Sequence, residues 1–179
     1  AEALMIATGR VPNSDILKTE KTGVKLDERG YVKVNEYLET NKKNISAVGD
    51  ANGQQMFTHV GNREAALAAD SAVHGTRIKM DYSAAPHAVY SHPQIASVGL
   101  KEEEARKEHK ILVGRASYFD VAQGEAMMEK KGFAKAIVEA DTEKILGFHI
   151  IGPYAPILIQ EVTNAMAHGG TAADIQRGM

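Results

Sequence analysis

Apolar residues along the chain come in short runs separated by turn-forming residues, and the runs differ in character between the two halves. Leu4, Met5 and Ile6, followed by Ala7-Thr8-Gly9, read as a buried strand closed by a turn at residues 10–13 with Pro12. Two short β-prone runs, 24–26 and 31–34, flank a turn at 27–30. The apolar run 45–48 predicts another buried strand, ended by Gly49-Asp50 and a loop over 51–55. Residues 59–78 predict a helix rich in alanine, with Gly75 near its end. Residues 79–85 read as a linker and Pro86 opens a new region.

Beyond Pro86 the rhythm changes. Residues 87–90 and 95–98 predict strands, 100–108 a helix and 111–119 a third strand. Glu102, Glu103 and Glu104 sit where a helix dipole favours carboxylates. Lys101 stands where a Ser or Thr cap is expected, forgoing about 1 kcal/mol. Residues 133–139 and 145–151 predict a hairpin. From Pro156, the residues Ile157, Leu158, Glu161, Val162, Ala165 and Met166 fall at helical spacing until Gly169-Gly170. Thr171 and Asp174 form a Thr-x-x-Asp helix start. Consecutive strands joined by turns with helices alongside predict an α+β fold with an antiparallel sheet.

Composition narrows the function. Against 23 acidic residues stand 21 lysines and arginines, a formal charge of −2, which argues against nucleic-acid binding or a polybasic membrane module. There is no cysteine, which excludes disulfides, thiolate metal sites and a cysteine nucleophile within these 179 residues. The longest apolar region, 145–159, is interrupted by His149, Gly152, Pro153 and Pro156 and does not read as a membrane span. The default expectation is a cytoplasmic chain. Because it opens inside strand-like sequence and stops about two turns after a helix start, the expectation is a piece of a longer protein.

Candidate chemistry is sparse. None of the seven histidines stands in a metal-binding spacing, and no metal site is expected. No Gly-x-Ser-x-Gly is present, so no hydrolase nucleophile is expected and no catalytic residue is assigned. Asp50 differs: it follows a glycine at the carboxyl end of the run 45–48, where α/β sheets bind ligands. A short acid there can accept hydrogen bonds from sugar hydroxyls. Phe57-Thr58-His59 then leads into a helix, whose N-terminus offers N–H groups and partial positive charge.

These segments, in order, resemble the FAD-dependent pyridine nucleotide-disulfide oxidoreductases. Ala7-Thr8-Gly9-Arg10-Val11-Pro12-Asn13 is similar to the segment closing their nicotinamide-dinucleotide domain. Thr40 with Ile45-Ser46-Ala47-Val48-Gly49-Asp50 resembles their second FAD motif. Residues 86–99 resemble the opening of their dimerisation domain, and 145–153 its late strand. The resemblance implies a C-terminal portion of such an enzyme, most similar to the dihydrolipoamide dehydrogenases. It divides the chain into residues 1–85, a remnant of the NAD- and FAD-binding domains, and residues 86–179, a dimerisation domain truncated at its C-terminus.

It further implies that Asp50 hydrogen-bonds the FAD ribityl chain. Met56, Phe57, Thr58 and His59 would lie against the flavin pyrimidine, and Gly9 near bound NAD. It implies a homodimer with possible partners among 2-oxoacid dehydrogenase complex components, and a fragment that is inactive alone, since the redox cysteines and the His-Pro-(three residues)-Glu segment would lie outside it. Ser46 departs from the motif's usual aromatic, and Phe57-Thr58 from its Leu-Ala. Alternatives within the family are mercuric reductase and soluble transhydrogenase; from another class, a non-catalytic dimerisation module.

Overall fold

A computed structural model of the chain describes residues 2–178. They form two compact units divided between Met80 and Asp81.

In the first unit, residues 2–13 have no regular secondary structure. The strand expected at Leu4–Ile6 does not form: Leu4 and Ile6 are 86% and 75% exposed. A strand exists only by pairing, and no strand among the described residues pairs with this one. A 3₁₀ turn, Ser14–Leu17, is followed by the single-turn helix α1, Thr19–Thr22. The turn at 27–30 is present as predicted. Asp27 accepts the N–H groups of Arg29 and Tyr31 at 2.9 and 2.8 Å, and Gly30 takes the left-handed conformation at φ 90°. The flanking runs meet in one bridge, Leu26 to Val32.

The expected strand at 45–48 is likewise reduced to one bridge, Glu39 to Ser46, and Ile45 is 37% exposed rather than buried. It leads into a 3₁₀ turn, Gly49–Ala51. Helix α2, Thr58–His74, starts one residue before its predicted position and stops at Gly75, whose left-handed φ of 69° closes it. Val60, Glu64 and Leu67 are its buried positions, spaced i, i+4, i+7 along one face. Arg77 and Lys79 pin the following segment to the 35–39 loop, pairing with Glu39 and Glu36 at 2.9 Å each.

The second unit is a five-stranded antiparallel sheet in the order β1-β2-β5-β4-β3. The strands are β1 (His87–Val89), β2 (Ile95–Gly99), β3 (Ile111–Ser117), β4 (Phe133–Glu139) and β5 (Ile145–Ile151). The last two form the predicted hairpin. The most apolar strand, β5, takes the centre, where both of its faces are covered. On one face lies α5, Ala155–Ala167, whose Ile159 and Val162 pack with Ala96, Val98 and Ile150. Each such buried aliphatic side chain contributes about 1.5–3 kcal/mol. On the other face Ala105 of α3, Glu102–Glu108, closes a smaller cluster with Ile137 and Leu146.

Local chemistry explains the helix ends. Lys101 offers no side-chain acceptor, but Glu104 reaches back to accept its N–H at 2.9 Å, so half of a capping box survives. The last helix, α6 (Ala172–Gln176), has the full box. Thr171 Oγ1 accepts from Asp174 N–H at 3.3 Å, and the Asp174 carboxylate accepts from Thr171 N–H at 2.7 Å. The strand predicted over 111–119 ends at Ser117, where a 3₁₀ turn, Tyr118–Asp120, leads into the unforeseen α4, Ala122–Ala126. No helix among the described residues is long and apolar enough to cross a membrane.

Gly99 of β2 lies directly opposite Gly147 of β5. A Cβ on Gly147 would drive into the backbone carbonyl of Leu100, whereas one on Gly114 in β3 would meet open space. Gly147→Ala is therefore expected to destabilise the second unit by about 1–3 kcal/mol, the usual range for overpacking, and Gly114→Ala to be neutral or slightly stabilising. Chemical denaturation of the two variants checks this.

Glu102 ties α3 to the sheet, accepting from Lys135 Nζ at 2.6 Å and from Arg106 Nε at 2.9 Å. Lys135 and then Arg106 hold its carboxyl below the usual carboxylate range. A carboxyl held low in the folded state adds stability above its unfolded pKa and loses it as pH falls through the lowered folded value. Glu102→Gln should thus melt below the parent at neutral pH, the two curves converging as pH falls below the ordinary carboxylate range.

Candidate functional site

The first unit contains a cavity of about 540 Å³. Its wall is formed by residues 10–14, Ile16 and Leu17 on one side, and by Tyr31, Val32, Asp50, Ala51 and Met56 on the other. Two segments far apart in sequence thus line one space: the one following Gly9 and the one carrying Gly49-Asp50.

Asp50 stands at this cavity on the Gly49–Ala51 turn with its side chain largely exposed. Its Oδ2 receives the guanidinium of Arg10 at 3.3 Å, and both partners face solvent. An exposed pair of this kind is worth at most about 1 kcal/mol, so a ligand offering better hydrogen bonds can displace it. Arg10 belongs to the Ala7-to-Asn13 motif, and its pairing with Asp50 was not expected from the sequence.

Behind the turn lies a second carboxylate. Glu64 of α2 is fully buried, and its Oε2 accepts the Gly49 N–H at 2.5 Å and the Asn52 side-chain amide at 2.9 Å. Asn52 is itself buried; its carbonyl oxygen accepts the Gln54 N–H at 2.9 Å. Helix and turn approach closely: a Cβ on Gly61 would stand 3.3 Å from the Gly49 Cα. Gly49 adopts φ 65°, the left-handed region.

Met56, Phe57, Thr58 and His59 run from the loop into the first turn of α2. Met56 lines the cavity, and its sulfur accepts the Tyr31 hydroxyl at 3.8 Å. Tyr31 is buried; Gly53 packs so closely on its ring that no side chain fits there. The rings of Phe57 and His59 stack with centroids 5.7 Å apart. Phe57, at the N-cap, makes no side-chain bond to the helix start, so the positive end of a 17-residue helix has no carboxylate in its first turn. Gly9 precedes the cavity-lining segment in left-handed conformation at φ 95°, in open surroundings.

Of the six residues singled out from the sequence, Asp50 and Met56 share the cavity, Phe57, Thr58 and His59 share the helix start, and Gly9 lies one residue beyond the lining segment. Glu64, Asn52, Tyr31 and Arg10 were not foreseen. Glu64 alone left a signal: a charged residue at the core position between Val60 and Leu67 of an amphipathic helix.

Comparison with known families decides the ancestry. Residues 85–179 match the pyridine nucleotide-disulphide oxidoreductase dimerisation domain, and residues 1–68 match the pyridine nucleotide-disulphide oxidoreductase domain. The chain belongs to the pyridine nucleotide-disulphide oxidoreductase family. Among relatives, a mycothione reductase from Mycobacterium tuberculosis is 40% identical over 99% of this chain and 40% of its own length. A dihydrolipoyl dehydrogenase from Thermus scotoductus is 35% identical over 97% of this chain and 38% of its own. Among solved structures, the HOCl-induced flavoprotein disulfide reductase RclA from Escherichia coli superposes with a TM-score of 0.87 at 28% identity, covering 99% of this chain and 41% of that one. The chain thus spans about two fifths of the length of these relatives. The family resemblance read from the four motifs holds, and the antiparallel sheet of the second unit is the fold of the family's dimerisation domain.

Proposed function

We propose that this chain works as part of a flavoenzyme that carries electrons between a dithiol/disulfide substrate and NAD through FAD. The observation that carries the reading is the placement of Asp50: an exposed carboxylate at the cavity, on a turn packed against the same helix whose N-terminus follows Met56. The residues present fit the group. Asp50 would accept sugar hydroxyls of the ribityl chain, a reading supported by its exposed pairing with Arg10, which yields readily. The cavity holds apolar surface from Val11, Pro12 and Met56 for a flat ring system. The first turn of α2, free of acidic side chains, offers its dipole to negative charge.

Bound FAD would supply two-electron chemistry between a nicotinamide and a dithiol. What this chain's residues contribute is binding and electrostatics. Asp50 orients the sugar chain, the α2 N-terminus favours an electron-rich partner, and Met56 with Phe57 limits water at that face. The chain has no cysteine, so thiol–disulfide exchange belongs to residues outside these 179. On this reading the isolated chain is inactive and purifies colourless. A flavin absorbance band at near-stoichiometric level would contradict that.

For the substrate, dihydrolipoamide is the first reading and is supported by the dihydrolipoyl dehydrogenase likeness; it brings 2-oxoacid dehydrogenase complex components as partners. The mycothione reductase at 40% identity supports a second reading in which mycothione takes its place. Turnover of the full-length protein on each substrate, with NAD or NADP as the nicotinamide, separates them. Residues 86–179 are proposed to form a homodimer. Support comes from the dimerisation-domain match and from the exposed Tyr154, Ile157 and Leu158 on and beside α5, Ile157 being 71% exposed. A strict monomer in sedimentation of the full-length protein at high concentration would count against it.

In the full-length protein, Asp50→Ala is expected to weaken FAD binding by about one to two decades, the weight of charge-assisted hydrogen bonds of roughly 1.5–3 kcal/mol. The melting of the second unit should not change. Full flavin occupancy with an unaltered dissociation constant would overturn the assignment.

A further inference from the structure

We infer that Glu64 is a positioning residue: its buried carboxylate, with the close approach of Gly61, fixes the Gly49–Ala51 turn on α2 so that Asp50 is set relative to the N-terminus of the same helix. The inference rests on the FAD reading above and adds to it the part that holds the ligand-facing carboxylate in place.

A carboxylate with no access to water is costly unless donors converge on it. Here one short segment supplies two. The Gly49 N–H and the Asn52 amide meet on the same oxygen, at 2.5 and 2.9 Å. These two donors bracket Asp50 in sequence, and the Asn52 N–H closes the turn on the Gly49 carbonyl at 3.1 Å. The backbone on either side of Asp50 is thereby tied to one point on α2.

Packing alone does not account for a charge at this position. Glu64 lies between Val60 and Leu67 on the buried face, where an aliphatic side chain would complete the stripe with less desolvation. What the carboxylate adds is direction: it binds N–H groups of the turn, which an aliphatic side chain cannot. Gly61 acts from the same face. Its missing side chain lets Gly49 approach, and a methyl there would press on the Gly49 Cα at 3.3 Å. Both residues therefore control where the turn, and Asp50 with it, sits along the helix.

The test is a double-mutant cycle on FAD affinity in the full-length protein, with amide exchange at Gly49 as a flavin-independent readout. Glu64→Gln keeps the shape and one oxygen but removes the charge. It should speed Gly49 amide exchange and weaken FAD binding by about tenfold, roughly the weight of one charge-assisted hydrogen bond. In the Asp50→Ala background the same change should alter FAD affinity by less than about twofold, because the group it positions is gone. Gly61→Ala, which favours the helix and so guards against a failure to fold, should show the same loss of effect in that background.

An equal factor in both backgrounds would overturn the positioning role and leave Glu64 as a packing residue. Should Asp50→Ala leave FAD affinity unchanged, the FAD reading falls, and the positioning role with it. Should Asp50→Ala weaken FAD while neither Glu64→Gln nor Gly61→Ala does, the positioning role alone falls.

Discussion

A carboxylate sealed from water must be surrounded by donors, and in the first unit that requirement organises everything near it. Glu64 takes the Gly49 N–H and the Asn52 amide, and those bonds close a turn on the flank of α2. With only isolated bridges and no sheet among the described residues of this unit, the turn has no ladder to support it. The buried charge does what strand pairing does elsewhere: it gives backbone N–H groups a fixed destination. Tyr31 and Val32 add apolar burial, and Ala51 joins them to the turn through its carbonyl, which accepts the Val32 N–H at 2.9 Å.

The second unit solves the same problem by regular means. Its strands satisfy one another, and β5 lies between β2 and β4 with helices on both faces. A tight point in the sheet is the facing pair Gly99 and Gly147, where the chain leaves β2 and the Leu100 N–H bonds the Leu146 carbonyl at 2.8 Å. Any side chain there would part the two backbones, so two glycines in register let a helix start directly beside the central strand.

What could be read from the sequence follows from how far each signal reaches. The hairpin of β4 and β5, the stripe of α5 and the Thr171–Asp174 box are encoded within a few turns or a strand pair, and all appear where the pattern places them. The strands expected at residues 4–6 and 45–48 are not local objects; they need neighbours, and the described residues supply none beyond one bridge. Helix α4 was hidden because Gly124 interrupts its five residues, yet that glycine is what lets the turn close over the Tyr118 carbonyl. At the site, Asp50 was legible because it sits in a motif. Arg10 was not, because only the fold brings it across forty positions to that carboxylate. Glu64 becomes legible only when its spacing with Val60 and Leu67 is counted.

The same dependence on neighbours has a colloidal side. Leu4, Met5 and Ile6 present an apolar, β-prone stretch to solvent, with backbone groups that no strand among the described residues satisfies. Such a stretch is a template for edge-to-edge addition and an accessible site for proteases. In a concentrated preparation of this chain alone, residues 4–6 are therefore a point of self-association and of nicking.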